Sequence, residues 1–320
     1  MPRRTLRRPL EFFATFLCAG CVEAATPFDA GALEDVGAAP EAGPGVGCPS
    51  FAPGVTTGRV ADPSLDEISG LVASRDQAGV LWVHEDSGGG PFLTALGLDG
   101  TTRGRAVLEG APSLDWEDLA LEPVDGGADR LWLGDIGDNA ARDGRGTPRT
   151  SVDLLRVEEP VATAGSTAAP SVVAFERLTL RYPDRPHDAE ALAFDPETSD
   201  LYVFAKEDSG PSSVYVARAP HAFGAEVVLE QVATIDTGSS VTAADLLGDE
   251  LLVRTYRGVL LFARSAGESW STALSRPGRI LPRATEPQGE SIGFLPDGSA
   301  YVTVSEGAGV PLWRFDRRCP

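Results

Sequence analysis

The chain has 320 residues, 42% of them apolar, and carries a net charge of -20 at neutral pH. That is enough apolar chain for one large buried core, which excludes disorder or a membrane bundle as a description of the whole. The acidic surplus, with arginines scattered rather than clustered, excludes nucleic acid as a partner and favours cations or neutral ligands.

In chain order, Met1 to Arg8 is basic and Phe12 to Val22 is an apolar run, the two leading parts of an export signal. The run is too short to span a bilayer as a mature helix. Residues 1–21 are expected to be an export signal of lipoprotein type with Cys21 as the lipid-bearing residue, although Cys18 stands where that signal usually has Leu. The alternative is ordinary cleavage near Ala24 or Ala25 and free secretion, so any membrane association is expected only through Cys21. Residues 22–47 are Ala, Gly, Pro and acids without periodicity, a composition expected to form a disordered tether. The folded domain is expected over 48–320, with Cys48 and Cys319 at its ends paired as a disulfide in an oxidising compartment.

From residue 67 a short pattern recurs five times: an acid, an apolar strand, a turn, and a second strand ending in polar residues. The opening acids are Glu67, Glu117, Glu190, Asp245 and Glu290. Turn signals such as Asp195-Pro-Glu-Thr-Ser-Asp and Leu295-Pro-Asp-Gly-Ser separate the strands. Repetition of strands at this period predicts an all-β chain folded as a five-bladed β-propeller, with six blades as the alternative. The long stretch from Glu117 to Glu190 reads as one blade with an excursion at Gly137 to Thr150 and a loose connection at 159–171. The third blade is expected at 190–195, 200–205, 213–218 and 226–236. The last is expected at 290–295, 299–304 and 311–316, closed by an outer strand at 55–61.

A propeller starts its innermost strands on one face and returns the second strands to it, so the repeat gathers its polar ends on one rim. Glu67, Glu117, Glu190, Asp245 and Glu290 would converge there with His84, Lys206, Arg254 and Tyr256 from the returning strands. Carboxylates so close raise one another's pKa values unless a cation joins them. An all-oxygen set suits calcium better than zinc, since His84, His187 and His221 are the only histidines and lack ligand spacing. Against this, an acid at a strand opening commonly caps backbone N–H groups, and Lys206 and Arg254, here placed as phosphate-binding groups, would serve instead as ion-pair partners, Lys206 for Glu207 or Glu190 and Arg254 for Asp245. Asp135-Ile-Gly-Asp138-Asn139 reads either as a loop cation site or as an Asx-rich turn.

Glu67-Ile-Ser-Gly-Leu-Val and Leu81-Trp-Val-His-Glu-Asp, with Trp116-Glu-Asp-Leu-Ala and Leu131-Trp-Leu-Gly-Asp, resemble the first blades of the calcium-activated nucleotidase (apyrase) family. Gly134-Asp-Ile-Gly-Asp-Asn, Asp188-Ala-Glu-Ala-Leu, Glu286-Pro-Gln-Gly-Glu-Ser-Ile and Ser305-Glu-Gly more closely resemble a secreted bacterial β-propeller family labelled phytase-like or esterase-like, over most of residues 60–316. The nucleotidase resemblance implies calcium in the central tunnel, held at Ser69, Glu117, Glu190 and Glu290. The second resemblance implies phosphate-ester hydrolysis.

The expected function is that of an exported, cation-binding propeller acting as a calcium-dependent phosphoesterase, with His84, Lys206, Arg254 and Tyr256 as its reactive groups. The alternative is a non-catalytic envelope propeller that binds a protein or glycan. Glycoside hydrolysis by two rim carboxylates has only the acids themselves in its favour.

Overall fold

The computed structural model describes residues 50–318 except Ser87, 163–168 and Ser209. The export signal, Cys21, the tether, Cys48 and Cys319 lie outside the described residues.

Five antiparallel sheets are arranged as the blades of a β-propeller. The first blade takes strands Ile68–Ala73, Val80–Glu85, Phe92–Gly97 and Thr102–Val107 from the axis outward. The second takes Trp116–Glu122, Arg130–Asp135, Val152–Glu158 and Phe175–Arg181. Ala189–Asp195, Asp200–Ala205, Ser212–Ala217 and Glu230–Ile235 form the third. Val241–Leu247, Glu250–Thr255, Val259–Ala263 and Arg279–Leu281 form the fourth. Gly289–Phe294, Ala300–Ser305 and Pro311–Asp316 make the fifth, completed on its outer side by Val55–Arg59 from the start of the domain. One sheet thus holds both ends of the ring, and a backbone bond of 2.7 Å from Arg318 N to Ser50 O extends the closure.

Each innermost strand packs against the innermost strands of both neighbouring blades. Burial on both faces explains why these strands read as nearly continuous apolar runs rather than alternating ones. The core is correspondingly divided into five apolar clusters among the described residues, one at each blade junction. Trp132, Tyr215 and Leu192 lie between the second and third blades, and Trp82, Trp116 and Leu133 between the first and second.

The long interval after Glu117 is one blade, as expected. Its excursion carries a short helix, Asn139–Asp143, capped by Asp138 at one end and by left-handed Gly144 (φ 71°) at the other. The run 226–236 is divided, however: Glu226–Val228 pairs parallel with Phe175–Arg181 of the preceding blade, and only Glu230–Ile235 belongs to the third. Ser171–Val172 likewise pairs parallel with Thr102–Val107 of the first blade. Both connections cover an outer edge that would otherwise present unpaired backbone groups.

Candidate functional site

Every innermost strand carries a register shift near its start, where an extra residue is inserted opposite the second strand. The shifts fall between Ile68 and Leu71, Trp116 and Asp118, Ala189 and Ala191, Val241 and Ala243, and Gly289 and Ser291. Such β-bulges re-aim a side chain. The residues at the shift are Ser69, Glu117, Glu190, Thr242 and Glu290, and all five are buried.

Ser69, Glu117, Glu190 and Glu290 line a cavity of about 240 Å³ at this end of the tunnel, together with Asp86, Asn139, Arg142, Lys206, Tyr256, Gln288 and Glu306. Ser69 donates its hydroxyl to Glu117 O (2.6 Å), and Thr242 donates to Gly289 O (2.9 Å), so the two hydroxyl members each tie one inner strand to the next. Lys206 Nζ lies 2.6 Å from Glu190 Oε1. Tyr256 donates to Glu290 Oε1 at 2.8 Å, whereas Glu290 Oε2 is buried with no hydrogen-bond partner among the described residues.

The sequence expectation therefore changes in two blades. Glu67 is exposed, and the first-blade position belongs to Ser69. Asp245 stands three residues beyond Thr242 and lies at the opposite end of the inner strands, where it accepts from Leu246 N (2.9 Å) and Phe294 N (2.6 Å). It is a backbone cap, and burial pushes its carboxyl up to about 7. Asp118 does the same between the two ends, accepting from Leu119 N, Leu192 N and Ala244 N at 2.8–3.0 Å and so pinning three blades around the axis. Burial raises its pKa even against those three donors.

Of the four expected reactive groups, Lys206 and Tyr256 line the cavity. His84 does not: its buried ring packs edge-on against Trp116, and Nδ1 lies 3.0 Å from Glu85 O. Burial lowers its pKa. Arg254 is also withdrawn from the cavity, its guanidinium bonded to Glu286 Oε2 at 2.5 Å and to Ser291 O at 3.2 Å. Asp135 and Asp138 form a turn rather than an open cation site, since both accept from Arg149, and Asp138 also caps the short helix.

Arg142 was not foreseen. The helix in the second-blade excursion delivers it to the rim with Asn139, where Arg142 Nη1 bonds Asp188 Oδ2 (2.8 Å) and stands 3.9 Å from Glu190 Oε1. The available signal was Asp138 as a cap with Gly144 past the end. Nothing in so short a segment tells which way Arg142 faces.

The cavity wall carries five carboxylates, Asp86, Glu117, Glu190, Glu290 and Glu306, against the two cations Arg142 and Lys206. Asp115 and Asp188 stand just behind: oxygens of Asp86, Asp115 and Glu117 fall within 4.8 Å of one another, as do those of Glu117, Asp188 and Glu190. Burial, then the charges of Glu190 and Asp86, pushes Glu117 well above the usual carboxylate range. Burial also raises Glu190 against the pull of Lys206, whose own ammonium is held firmly protonated by that pair. Asp115 is pushed up to about 6 by burial and by Asp86 and Asp188, and Glu306 to about 7 by burial and by Glu290. A dense set of oxygen donors, an excess of negative charge and the unmatched Glu290 Oε2 fit a hard divalent cation.

Two results are expected. Gly137 lies against this set so closely that a Cβ would overlap Glu117 Oε1 and stand 2.5 Å from Asp115 Oδ2. Gly137→Ala should therefore push both carboxylates aside and weaken any divalent-cation affinity of this set by about tenfold or more with the fold retained, as read by calorimetric titration with calcium as the probe. The second concerns pH. The cation-free folded protein holds protons on Asp115 and Glu306 that the unfolded chain releases at lower pH, so these groups make stability fall as pH rises from the ordinary carboxylate range up to about 6 and 7, and level off above. A bound cation favours the ionised forms. The gain in Tm on adding calcium should accordingly grow from about pH 5 to about pH 8, and a gain independent of pH would separate these carboxyls from cation binding.

No protein-family model and no curated protein matches the chain. Among solved structures it is similar to a luciferin-regenerating enzyme (9% identity, 78% of this chain and 91% of that one, TM-score 0.42). It is also similar to a gluconolactonase from Xanthomonas campestris (14% identity, 84% and 98%, TM-score 0.44) and to a glucose dehydrogenase-type oxidoreductase from Thermus thermophilus (12% identity, 83% and 100%, TM-score 0.43).

Proposed function

We propose that the central cavity binds a hard divalent cation, calcium by its donor chemistry, through Glu117, Glu190 and Glu290 with Ser69 beside them, and that the loaded cavity hydrolyses small phosphoesters at the cell envelope or outside the cell. The observation that carries this reading is the bulge-positioned carboxylate set with Lys206 and Arg142 on the same wall. The cation would supply positive charge to a phosphoryl oxygen. Lys206 and Arg142 are placed to donate to the remaining phosphoryl oxygens, in the role the sequence alone gave to Arg254. Glu306, on the same wall, would be ionised beside the cation and placed to take the proton of the attacking water as the new P–O bond forms, and to return it to the departing alkoxide oxygen as the ester P–O bond breaks.

One observation favours a second reading, a non-catalytic propeller with a structural cation: Lys206 and Arg142 are both already engaged by carboxylates. Turnover of a panel of phosphomonoesters, phosphodiesters and nucleotides with calcium and after chelation separates the two. Calcium-dependent turnover that Lys206→Met lowers by about a hundredfold or more, without weakening calcium binding, supports hydrolysis. Calcium-loaded protein inert across the panel supports the second reading.

A further inference from the structure

A second group of acids stands at the far end of the first and second blades, away from the cavity. Asp76 is in the hairpin joining Ile68–Ala73 to Val80–Glu85, Asp129 precedes Arg130–Asp135, and Glu159 follows Val152–Glu158. Their carboxylate oxygens fall within 4.8 Å of one another. Asp129 and Glu159 are almost completely buried, at 1% and 5% exposure.

Most of the polar capacity here is used. Glu159 Oε1 accepts from Trp82 Nε1 (2.8 Å) and Gln77 Nε2 (2.7 Å), Asp129 Oδ1 accepts from Val124 N (2.8 Å), and Asp76 Oδ2 accepts from Asp129 N (3.1 Å). Two oxygens are left over: Glu159 Oε2 and Asp129 Oδ2 are buried with no hydrogen bond among the described residues. The nearby basic group is Arg75, whose Nε is 3.7 Å from Asp129 Oδ2, beyond hydrogen-bond range, on a side chain 41% exposed. A buried carboxylate oxygen without a donor is costly, and two of them beside a third carboxylate form an all-oxygen group of three acids that the one guanidinium of Arg75 does not balance.

We infer that Asp76, Asp129 and Glu159 form a second divalent-cation site of calcium type, distinct from the cavity, which staples the first blade to the second. Its first-blade ligand comes from a hairpin and its other two from the neighbouring sheet, so the cation's work is to hold the junction. Gln77 already bridges the same elements through Glu159, Pro160 O and Ala162 N, which fixes Glu159 for the role.

The test counts calcium by native mass spectrometry on the purified protein and its variants. Wild type should hold two ions, Glu159→Gln one, and Glu117→Gln one, with the double variant holding none. Asp76→Asn provides a variant at an exposed position that leaves the fold untouched, and it should weaken one of the two calcium affinities by about tenfold or more. Terbium alone is the second probe. Its emission excited through Trp82 should persist in Glu117→Gln and vanish in Glu159→Gln. Wild type holding a single ion that Glu117→Gln removes, or unchanged calcium counts and affinities in Glu159→Gln and Asp76→Asn, would overturn the inference. Because Glu117→Gln reports on the cavity separately, failure at one site is readable without failure at the other.

Discussion

Glu117→Gln is expected to abolish calcium binding in the cavity while making the chelated protein more stable. Glu117 belongs to both oxygen clusters at the cavity, with Asp86 and Asp115 on one side and Asp188 and Glu190 on the other. Glutamine keeps the shape and one acceptor oxygen but removes the charge the two clusters share, so affinity should fall by about a hundredfold or more. Burial and its acidic neighbours hold the Glu117 carboxyl well above the usual range, which means that in the cation-free protein its ionised form opposes folding.

A carboxyl whose folded-state pKa is raised costs stability once the unfolded chain ionises, so relief by glutamine is absent at low pH, grows as pH passes the ordinary glutamate value, and is fully present above the folded-state value. In chelator near pH 8 the variant should therefore gain about 1–2 kcal/mol, measured by urea denaturation, and in excess calcium it should be the less stable protein. A reversal of rank order between chelator and calcium is what a cation-binding carboxylate predicts. A purely structural Glu117 would lose stability in both conditions.

How much of this was legible in the sequence depends on which physical cause set each feature. The blades were readable because both-face burial writes an apolar run into every inner strand and turn residues into every hairpin: Ala189–Asp195 and Gly289–Phe294 begin within a residue of their expected positions. The closing outer strand, Val55–Arg59, is largely exposed and carries no apolar run; it was legible only because the last blade needs a fourth strand to close the ring. The site was readable in the blades where the bulge residue is itself an acid, Glu117, Glu190 and Glu290. Where the bulge bears a hydroxyl the acid pattern does not reach it: Ser69 enters only through the nucleotidase resemblance and Thr242 not at all, because register is a property of the pair of strands and leaves no mark on one of them. The acid pattern points to Glu67 in the first blade, beside Ser69, and to Asp245 in the fourth. Asp245 in particular answers a different need, the backbone N–H of Phe294 in the next blade, which only the closed ring brings near. Glu226–Val228 was misassigned on similar grounds, since its pairing partner is in the preceding blade.

Arg254→Ala is expected to be a folding variant rather than a catalytic one, with a cost of about 3–5 kcal/mol, the range for breaking one partner out of a buried ion pair. In sequence Arg254 looks like an anion-binding group, two residues from Tyr256 on the strand that returns to the rim. Its neighbours determine otherwise. The side chains of Arg254 and Glu286 are 5% and 3% exposed, and Glu286 also accepts from Thr303 Oγ1 at 3.1 Å. Gly289 leaves the space the guanidinium occupies, since a Cβ there would overlap Arg254 Nη2. The pair thus joins Glu250–Thr255 of the fourth blade to the loop entering the inner strand of the fifth. Alanine would leave Glu286 charged, buried and without its cation, so most of the loss should be recovered in Arg254→Met/Glu286→Leu, where both charges are removed and volume is kept. Chemical denaturation of the wild type, the two single variants and the double variant gives the coupling directly. An Arg254→Ala protein of unchanged stability that had lost phosphoester turnover would instead return Arg254 to the reacting groups and require the cavity wall to open toward it.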